Sequence, residues 1–336
     1  MHDQDFFQLT TADMCAHLHA HSAQPLQAID SGDISVVIQG PVFTQLAQHA
    51  PQGITKQVLR SLRQQLPDAT LILATWKDQN IHGLDADIIL QLDDPGTTNF
   101  YKKGAKAENL YNNANRLICS TKAGLEQVKT KYTLKIRSDL LMFHPLMTAY
   151  FNHFQHNDAP WQVLEKRIIG FPIYSLKHEV SQSNNMIQPR PFHVSDWAYF
   201  GLSTDVKHLF DCRLQDEPTT SRWFETRPKP ANDIWPDRLW RYSPEQYITS
   251  SLAQRMLGIQ LEHSSQDDLE LLQASERFIA NNFIILDQQQ WGLWSLKLQN
   301  YQDQLPADLL SGLYTHQVWV NDYKKFSINT PSLMDA

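Results

Sequence analysis

Glycine is scarce: 12 in 336 residues. A cradle that wraps phosphate in backbone amides needs several glycines within a few positions. The chain has no P-loop pattern, no G-x-G-x-x-G, no G-x-S-x-G and no H-E-x-x-H. Those gaps argue against ordinary ATPases, simple dinucleotide enzymes and serine hydrolases. Cysteines stand only at 15, 119 and 212, too few and too far apart for a metal knuckle or a disulfide framework. A reducing compartment fits that usage. No run approaches the ~18 apolar residues that a membrane span needs. The opening "MHDQDFFQLTTADMCAHLHAHSAQ" has neither the basic start nor the apolar centre of a signal peptide. We therefore expect a cytoplasmic protein with at most peripheral contact at the inner face of a membrane. Positive charge is also short. Lys and Arg number 29 against 36 Asp and Glu, a net charge of -7, which excludes a general nucleic-acid coat. Any phosphate must be met by individual Arg or Lys side chains or by a cation.

Hydrophobic residues make up 42% and charged residues 19%, a composition that folds. "ISVVIQG" (34–40) is a buried-strand run. "ITKQVLRSLRQQLP" sets Ile54, Val58, Leu62 and Leu66 at steps of four and stops at Pro67, an amphipathic helix. "TLILATW" (70–76) and "ADIILQLDDPG" (86–96) are further strands. A helix is expected from about Ala107 to Thr130, with Leu110, Ala114, Leu117, Thr121, Leu125 and Val128 as its buried stripe. "YTLKIRSDL" (132–140) is the fourth strand. The order β-α-β-β-α-β predicts an α/β domain with a mostly parallel central sheet, helices on both faces and a long aromatic-rich insertion. Residues 141–250 are rich in Trp, Tyr, His and Pro and are expected to form loops and short strands beside the sheet. From 265 onward a helix, a strand and a closing segment follow. We divide the chain into an N-terminal segment, 1–33, expected to be helical; one domain, 34–297, with halves at 34–140 and 141–297; and a C-terminal extension, 298–336. His17, His19 and His21 alternate in the first of these and read as a solvated tract rather than a metal site.

In open sheets of this kind ligands bind outside the carboxyl ends of the strands. Here those ends read "QGP" (39–41), "TW" (75–76), "DDPG" (93–96) and "RSD" (137–139). Lys135, Arg137 and Asp139 alternate along the fourth strand and share one face. Charges there are costly unless they meet water, a ligand or partners of opposite sign. Arg137 suits phosphate, and Asp139 suits a hard cation or a sugar; a structural Arg–Asp pair is the plain alternative. Asn112, Asn115 and Arg116 are spaced i+3 and i+4, which puts them on one helix face. Asp94 either makes an Asp-Pro-Gly turn or reaches a base or ribose. Gly40 and Pro41 either end a strand or let the backbone approach a ligand. His193, Asp196 and Trp197 cluster in "FHVSDWAYFG", as an acid/base pair with an aromatic platform or as a capped core Trp. "YSPEQYI" is a helix start with Ser243 as N-cap and Pro244 first; Glu245 is an ordinary first-turn acid or a base facing the cleft.

Taken in order, "ISVVIQGP", "LDDPG", "NNANRLICSTKAGL", "YTLKIRSDL", "FHVSDWAYFGL", "SPEQYI" and "FIILDQQQWGLWSLK" resemble the WavE-type lipopolysaccharide synthesis proteins, across about 34–297. The resemblance implies a GT-A-like glycosyltransferase acting in lipopolysaccharide or capsule biosynthesis. It implies that "RSD" stands where GT-A enzymes carry Asp-x-Asp, so that Asp139 is the metal- or diphosphate-side acid. Ser138 and Arg137 stand there in place of a second aspartate. Gln39, Gly40, Pro41, Asp94, Asn115, Arg116 and Arg137 would hold the nucleotide-sugar donor. His193 and Trp197 would hold a glycan or lipid-linked glycan acceptor, with Asp196 or Glu245 as base. The implied cofactor is a divalent cation, Mn2+ or Mg2+. Apart from the resemblance, sugar transfer needs water kept out, and the aromatic-rich residues 217–240 are expected to act as a lid. The rival functions are a sugar nucleotidyltransferase, which releases pyrophosphate, and a non-catalytic carbohydrate-binding or scaffold protein.

Overall fold

The apolar runs of the first 140 residues become strands and helices with nearly the expected bounds. In a computed structural model, residues 29–44, 53–99, 111–181, 185–217, 219–231, 233–295 and 311–328 are described. Ile34–Gln39 is β1, buried at every position; Ile54–Gln65 is α1; Thr70–Trp76 is β2; and Ile88–Leu92 is β3. Ala114–Glu126 is α2 and Tyr132–Arg137 is β4. The second half supplies β5 (Ile168–Gly170), β6 (Ala198–Leu202), α3 (Ser203–Leu209), α4 (Pro244–Leu257), α5 (Leu269–Asn282), β7 (Phe283–Ile285) and α6 (His316–Tyr323).

The central sheet runs β7-β5-β6-β4-β1-β2-β3. β3, β2, β1 and β4 are mutually parallel. β6 is antiparallel to both β4 and β5, and β7 is parallel to β5. The chain steps outward from β1 to β3 and then returns through α2 to β4, on the far side of β1. Right-handed crossovers taken in opposite directions put α1 and α2 on opposite faces. α2 packs on β1, β2 and β3. It does so closely: a Cβ at Gly124 would collide with Val37 of β1. The reversal leaves a crevice between the carboxyl ends of β1 and β4, where a ligand site is expected.

Three expectations change. α2 begins at Ala114, not near 107, because Asn113 is its N-cap and Asn112 belongs to a two-residue strand; residues 107–110 lie outside the described residues. The third strand spans 88–92, not 86–96, since Asp87 is spent holding the backbone of Leu71 and the side chain of Arg63. β5 and β6 enter the sheet rather than lying beside it. Pairing partners that distant leave no local signature.

The C-terminal residues 311–328 pack on the same body. α6 lies against α5 and β7, and Trp319, fully buried, meets Phe154 edge-on at 4.6 Å. The N-terminal segment, with Cys15 and the three alternating histidines, lies outside the described residues. Among the described residues no helix is long and apolar enough to cross a membrane.

Candidate functional site

Lys135 sits mid-strand, fully buried. Its ammonium donates to the backbone carbonyl of Asp196 and lies 5.8 Å from the ring centres of Tyr199 and Phe210. Burial is the main force on it and pushes its pKa down to about 7, with Asp196 pulling the other way. Two strand positions further, on the same face, Arg137 reaches the crevice. Its Nε and Nη2 donate to Asp139 Oδ1 and Oδ2 at 2.8 and 2.5 Å, and its guanidinium lies 4.4 Å from the Trp197 ring centre. Burial opposes the charge on Arg137, and Asp139 more than offsets it, so the guanidinium stays firmly protonated. Its Nη1 edge makes no hydrogen bond among the described residues and is left for a ligand.

Arg137, Asp139 and Trp197, but not Lys135, border a cavity of about 710 Å3 outside the ends of β1, β2 and β4, large enough for a cofactor-sized ligand. β1 contributes Gln39, Gly40 and Pro41; β4 and its turn contribute Arg137, Ser138 and Asp139. Gly40 has φ +127°, and a Cβ there would stand 2.9 Å from Ser138 Oγ. The glycine thus lets the two strand ends meet, sealed by Ser138 Oγ donating to the Pro41 carbonyl at 2.7 Å. The first turns of α2 (Ala114, Arg116) and α4 (Pro244, Glu245) line the cavity too. Helix N-termini of this length favour negative charge. Arg116 grips Asp94 through Nε at 2.8 Å and through Nη2, and it donates from Nη1 to Asn113 at 3.1 Å. The Arg116 contact holds the Asp94 carboxyl below its usual range.

Asp196 and Glu245 line the cavity as well; Asp196 precedes β6, whose Ala198 pairs with Ile136 of β4, so its carboxylate supports the charge of Arg137. The Asp196 carboxylate meets no hydrogen-bond donor among the described residues. Glu245 follows Ser243 and Pro244 as expected, and Ser243 forms a capping box with Gln246. Burial, then the charge of Asp196, push Glu245 up to about 8; at neutral pH it is mostly protonated. Tyr174, held at φ +64°, completes this wall beside Trp197, with ring centres 5.7 Å apart.

Two of the expected site residues do not reach the cavity. Asn115 is buried against the loop at 215: its Nδ2 donates to the Gln215 carbonyl at 2.8 Å, and its Oδ1 accepts from the Gln215 amide at 2.6 Å. Neighbouring helix positions point about 100° apart, so Asn115 and Arg116 cannot serve one ligand. His193 turns away: its Nδ1 donates to the Tyr174 carbonyl at 2.8 Å, and Nε2 is 4.0 Å from Glu245 Oε2. Burial pushes its pKa down to about 4, so it is neutral. Trp197 lines the cavity but is only 5% exposed, stacked on Phe171 and covered by Arg137; it offers no bare platform. Trp76, Asp78, Gln79 and Tyr174 also line the cavity. The strand end at "TW" pointed to Trp76 alone; Asp78 and Gln79, just beyond it, and Tyr174 were not singled out.

A divalent cation fits these residues poorly. Both oxygens of Asp139 are taken by Arg137, and among the described residues no group of three or more His, Cys, Asp or Glu side chains could hold a metal. The segment expected as a lid packs through Phe224, Ile234 and Leu239, all buried.

No curated protein matches the chain. Solved structures that match include a 4-diphosphocytidyl-2C-methyl-D-erythritol synthase from Anaerococcus prevotii, at 11% identity and TM-score 0.31 over 60% of this chain and 80% of that one. A nucleoside-diphosphate-sugar pyrophosphorylase from Vibrio cholerae matches at 12% identity and TM-score 0.27 over 60% and 84%. At those scores the likenesses are too distant to argue from. The family model for WavE lipopolysaccharide synthesis, by contrast, matches residues 34–335, taking in every strand and helix described above. The chain belongs to the WavE lipopolysaccharide synthesis family, and its role lies in making lipopolysaccharide.

Proposed function

We propose that the protein is a glycosyltransferase that moves a sugar from a nucleotide-sugar donor to a glycan or lipid-linked glycan acceptor, in the cytoplasm or at the inner face of the membrane. The observation that carries this reading is that one cavity holds both the free Nη1 edge of Arg137 and the unbonded carboxylate of Asp196. The donor diphosphate lies on the Arg137 side, between the two helix N-termini, where its growing negative charge is stabilised as it leaves. Asp139 aims Arg137. The acceptor hydroxyl lies near Asp196. Its oxygen forms the bond to the anomeric carbon, the bond from that carbon to the diphosphate oxygen breaks, and the proton passes to Asp196. Glu245, protonated, donates a hydrogen bond rather than taking the proton. Gln39, Gly40, Pro41 and the Asp94–Arg116 pair frame the nucleoside.

The test is thermal stabilisation by UDP, GDP, CMP, TDP and ADP, each with and without Mn2+ or Mg2+, followed by turnover with the matching nucleotide sugar. A ligand of the folded state raises apparent stability by mass action. We expect one nucleotide to stand out, to lose its effect in Arg137→Gln, and to appear as that same free nucleotide during turnover. Release of pyrophosphate from a nucleoside triphosphate and a sugar phosphate would make the protein a nucleotidyltransferase instead. No response to any nucleotide would leave a glycan-binding protein.

A further inference from the structure

Behind the Glu245 wall lies a second, smaller cavity of about 70 Å3. His193 and Ser243 form the partition: both line the small cavity, while their neighbours Pro244 and Glu245 line the large one. The small cavity is lined by ionised groups, and nearly all of them are matched. Glu179 is gripped by Arg190, through Nε at 2.5 Å and through Nη2, and accepts from Trp235 Nε1 at 3.3 Å. Asp233 accepts from Lys229 at 3.1 Å, from Ser265 Oγ at 2.5 Å and from the Trp235 amide at 2.7 Å. His193 is neutral.

Arg238 is the exception. Its guanidinium lies 3.6 Å from the Trp235 ring centre and 4.7 Å from that of Trp240. Among the described residues it makes no side-chain hydrogen bond and no ion pair within 4.0 Å. Burial pushes its pKa down only to about 10, so it keeps its charge. Glu179, and after it Asp237 and Asp233, support that charge through space against Arg190, but none is in contact with it, and a cation taken largely out of water without a contacting counter-charge is costly. Two indole rings recover part of that cost through cation–π contact, and they also fix the guanidinium with its N–H groups uncommitted. Trp235, Arg238 and Trp240 all remain partly exposed, so the cavity opens to solvent on their side. Its volume admits a few waters or one small oxyanion, and it is several-fold too small for a sugar ring.

We propose that this cavity is an anion subsite, in which Arg238 receives a phosphate or carboxylate substituent carried by a sugar whose ring stays outside. That the sugar is the acceptor rests on the glycosyltransferase reading; that the cavity binds an oxyanion does not. Guanidinium N–H groups suit both oxyanions, and the single unmatched cation suits a single anionic group.

The experiment titrates the full chain at low ionic strength with inorganic phosphate, with glucuronate, and with chloride at matched ionic strength, reading thermal stability and heat of binding. We expect saturable binding of phosphate or glucuronate beyond the chloride control, and which of the two binds more tightly names the substituent. Arg238→Gln should weaken it by at least about tenfold, Arg238→Lys should weaken it less, and Arg137→Gln should leave it intact. Binding lost with Arg137→Gln but kept by Arg238→Gln would place the anion in the large cavity and overturn the subsite. So would no binding beyond chloride. Each variant's melting profile without ligand checks folding, and if Arg238→Gln does not fold, the Arg238→Lys and Arg137→Gln pair decides. Loss of the nucleotide response with the anion response kept would sink the glycosyltransferase reading and leave the subsite standing.

Discussion

Replacing Glu245 with Gln should stabilise the protein, and by an amount that grows with pH. The Glu245 carboxyl lies in the partition between the two cavities, where burial and Asp196 raise its pKa from an ordinary 4.5 to about 8. Below pH 4.5 it is protonated in both folded and unfolded chains and contributes nothing to pH dependence. Between 4.5 and 8 the unfolded chain releases the proton while the folded chain keeps it, so stability falls as pH rises. Above 8 both are ionised and the loss is complete. The gap of about 3.5 pH units at ~1.4 kcal/mol each gives an upper figure of ~5 kcal/mol, and relaxation around the charge would bring it nearer ~2–3 kcal/mol. Gln keeps the shape and a hydrogen-bond donor without the titration. Lys135, depressed to about 7, tilts the wild-type curve the other way: its stability rises with pH between 7 and 10.5. Subtracting the variant's curve from the wild type's removes most of that slope. The assay is urea unfolding of both proteins at pH 5, 7 and 9. We expect the two to agree within ~1 kcal/mol at pH 5 and to separate by ~2–5 kcal/mol at pH 9. A gap that is equal at pH 5 and pH 9 would refute the placement of Glu245 as a buried, proton-holding carboxyl.

Asp139→Ala should cut turnover by at least ~100-fold while near-UV circular dichroism keeps its folded signature, because the freed Arg137 no longer holds its edge toward the leaving group; near-normal turnover would sink that role. Asn115→Ala should cost ~1–3 kcal/mol in denaturant unfolding, since it strands the buried amide and carbonyl of Gln215, and it should leave nucleotide affinity unchanged, which a ligand-contacting asparagine would not. Gly40→Ala should also cost ~1–3 kcal/mol, from the backbone at φ +127° and the contact with Ser138 Oγ, and the additional change Ser138→Gly should return part of it. Lys135→Met should be neutral or stabilising in the same assay at pH 6 yet lower turnover by about tenfold, through loss of the hold on the Asp196 carbonyl. A variant with full turnover would reduce Lys135 to a bystander.

How much of this was readable in the sequence depended on the range over which each feature is determined. β1, α1, β2 and β4 follow from apolar runs and steps of four; the first three fall within a residue or two of their expected bounds, and β4 stops three residues short, at Arg137. The α4 start was legible from three residues because Ser, Pro and Glu each satisfy a backbone requirement of a helix N-terminus. The α2 start was misplaced for the same kind of reason: Asn112 and Asn113 are poor mid-helix residues and good caps, a signal outweighed by the apolar stripe running back to Leu110. The strand-end rule led to Gln39, Gly40, Pro41, Arg137 and Asp139, because it needs only the direction of parallel strands. At Gly40 the close approach seen in the fold is to Ser138, which the sequence did not indicate.

What the sequence does not show is which side chains answer one another across the fold. Lys135 raised the question of where a charge in a central strand could go, and its partner is a backbone carbonyl 61 positions later. No residue type encodes a carbonyl acceptor, so spacing alone could not have found it. The same holds for His193 and Arg238. Three positions before Asp196 in the sequence, His193 looks like half of an acid/base pair, but Asp196 and Trp197 lead into β6 and lie toward Arg137, while His193 turns back to Tyr174. Arg238, set among Trp235 and Trp240, looks like part of an aromatic lid or a membrane-facing patch. It becomes a candidate anion receptor only because every carboxylate in its cavity is already matched by another residue. An unmatched charge is a property of the whole neighbourhood, assembled here from segments near 179, 190, 233 and 265, and it exists only once the chain has folded.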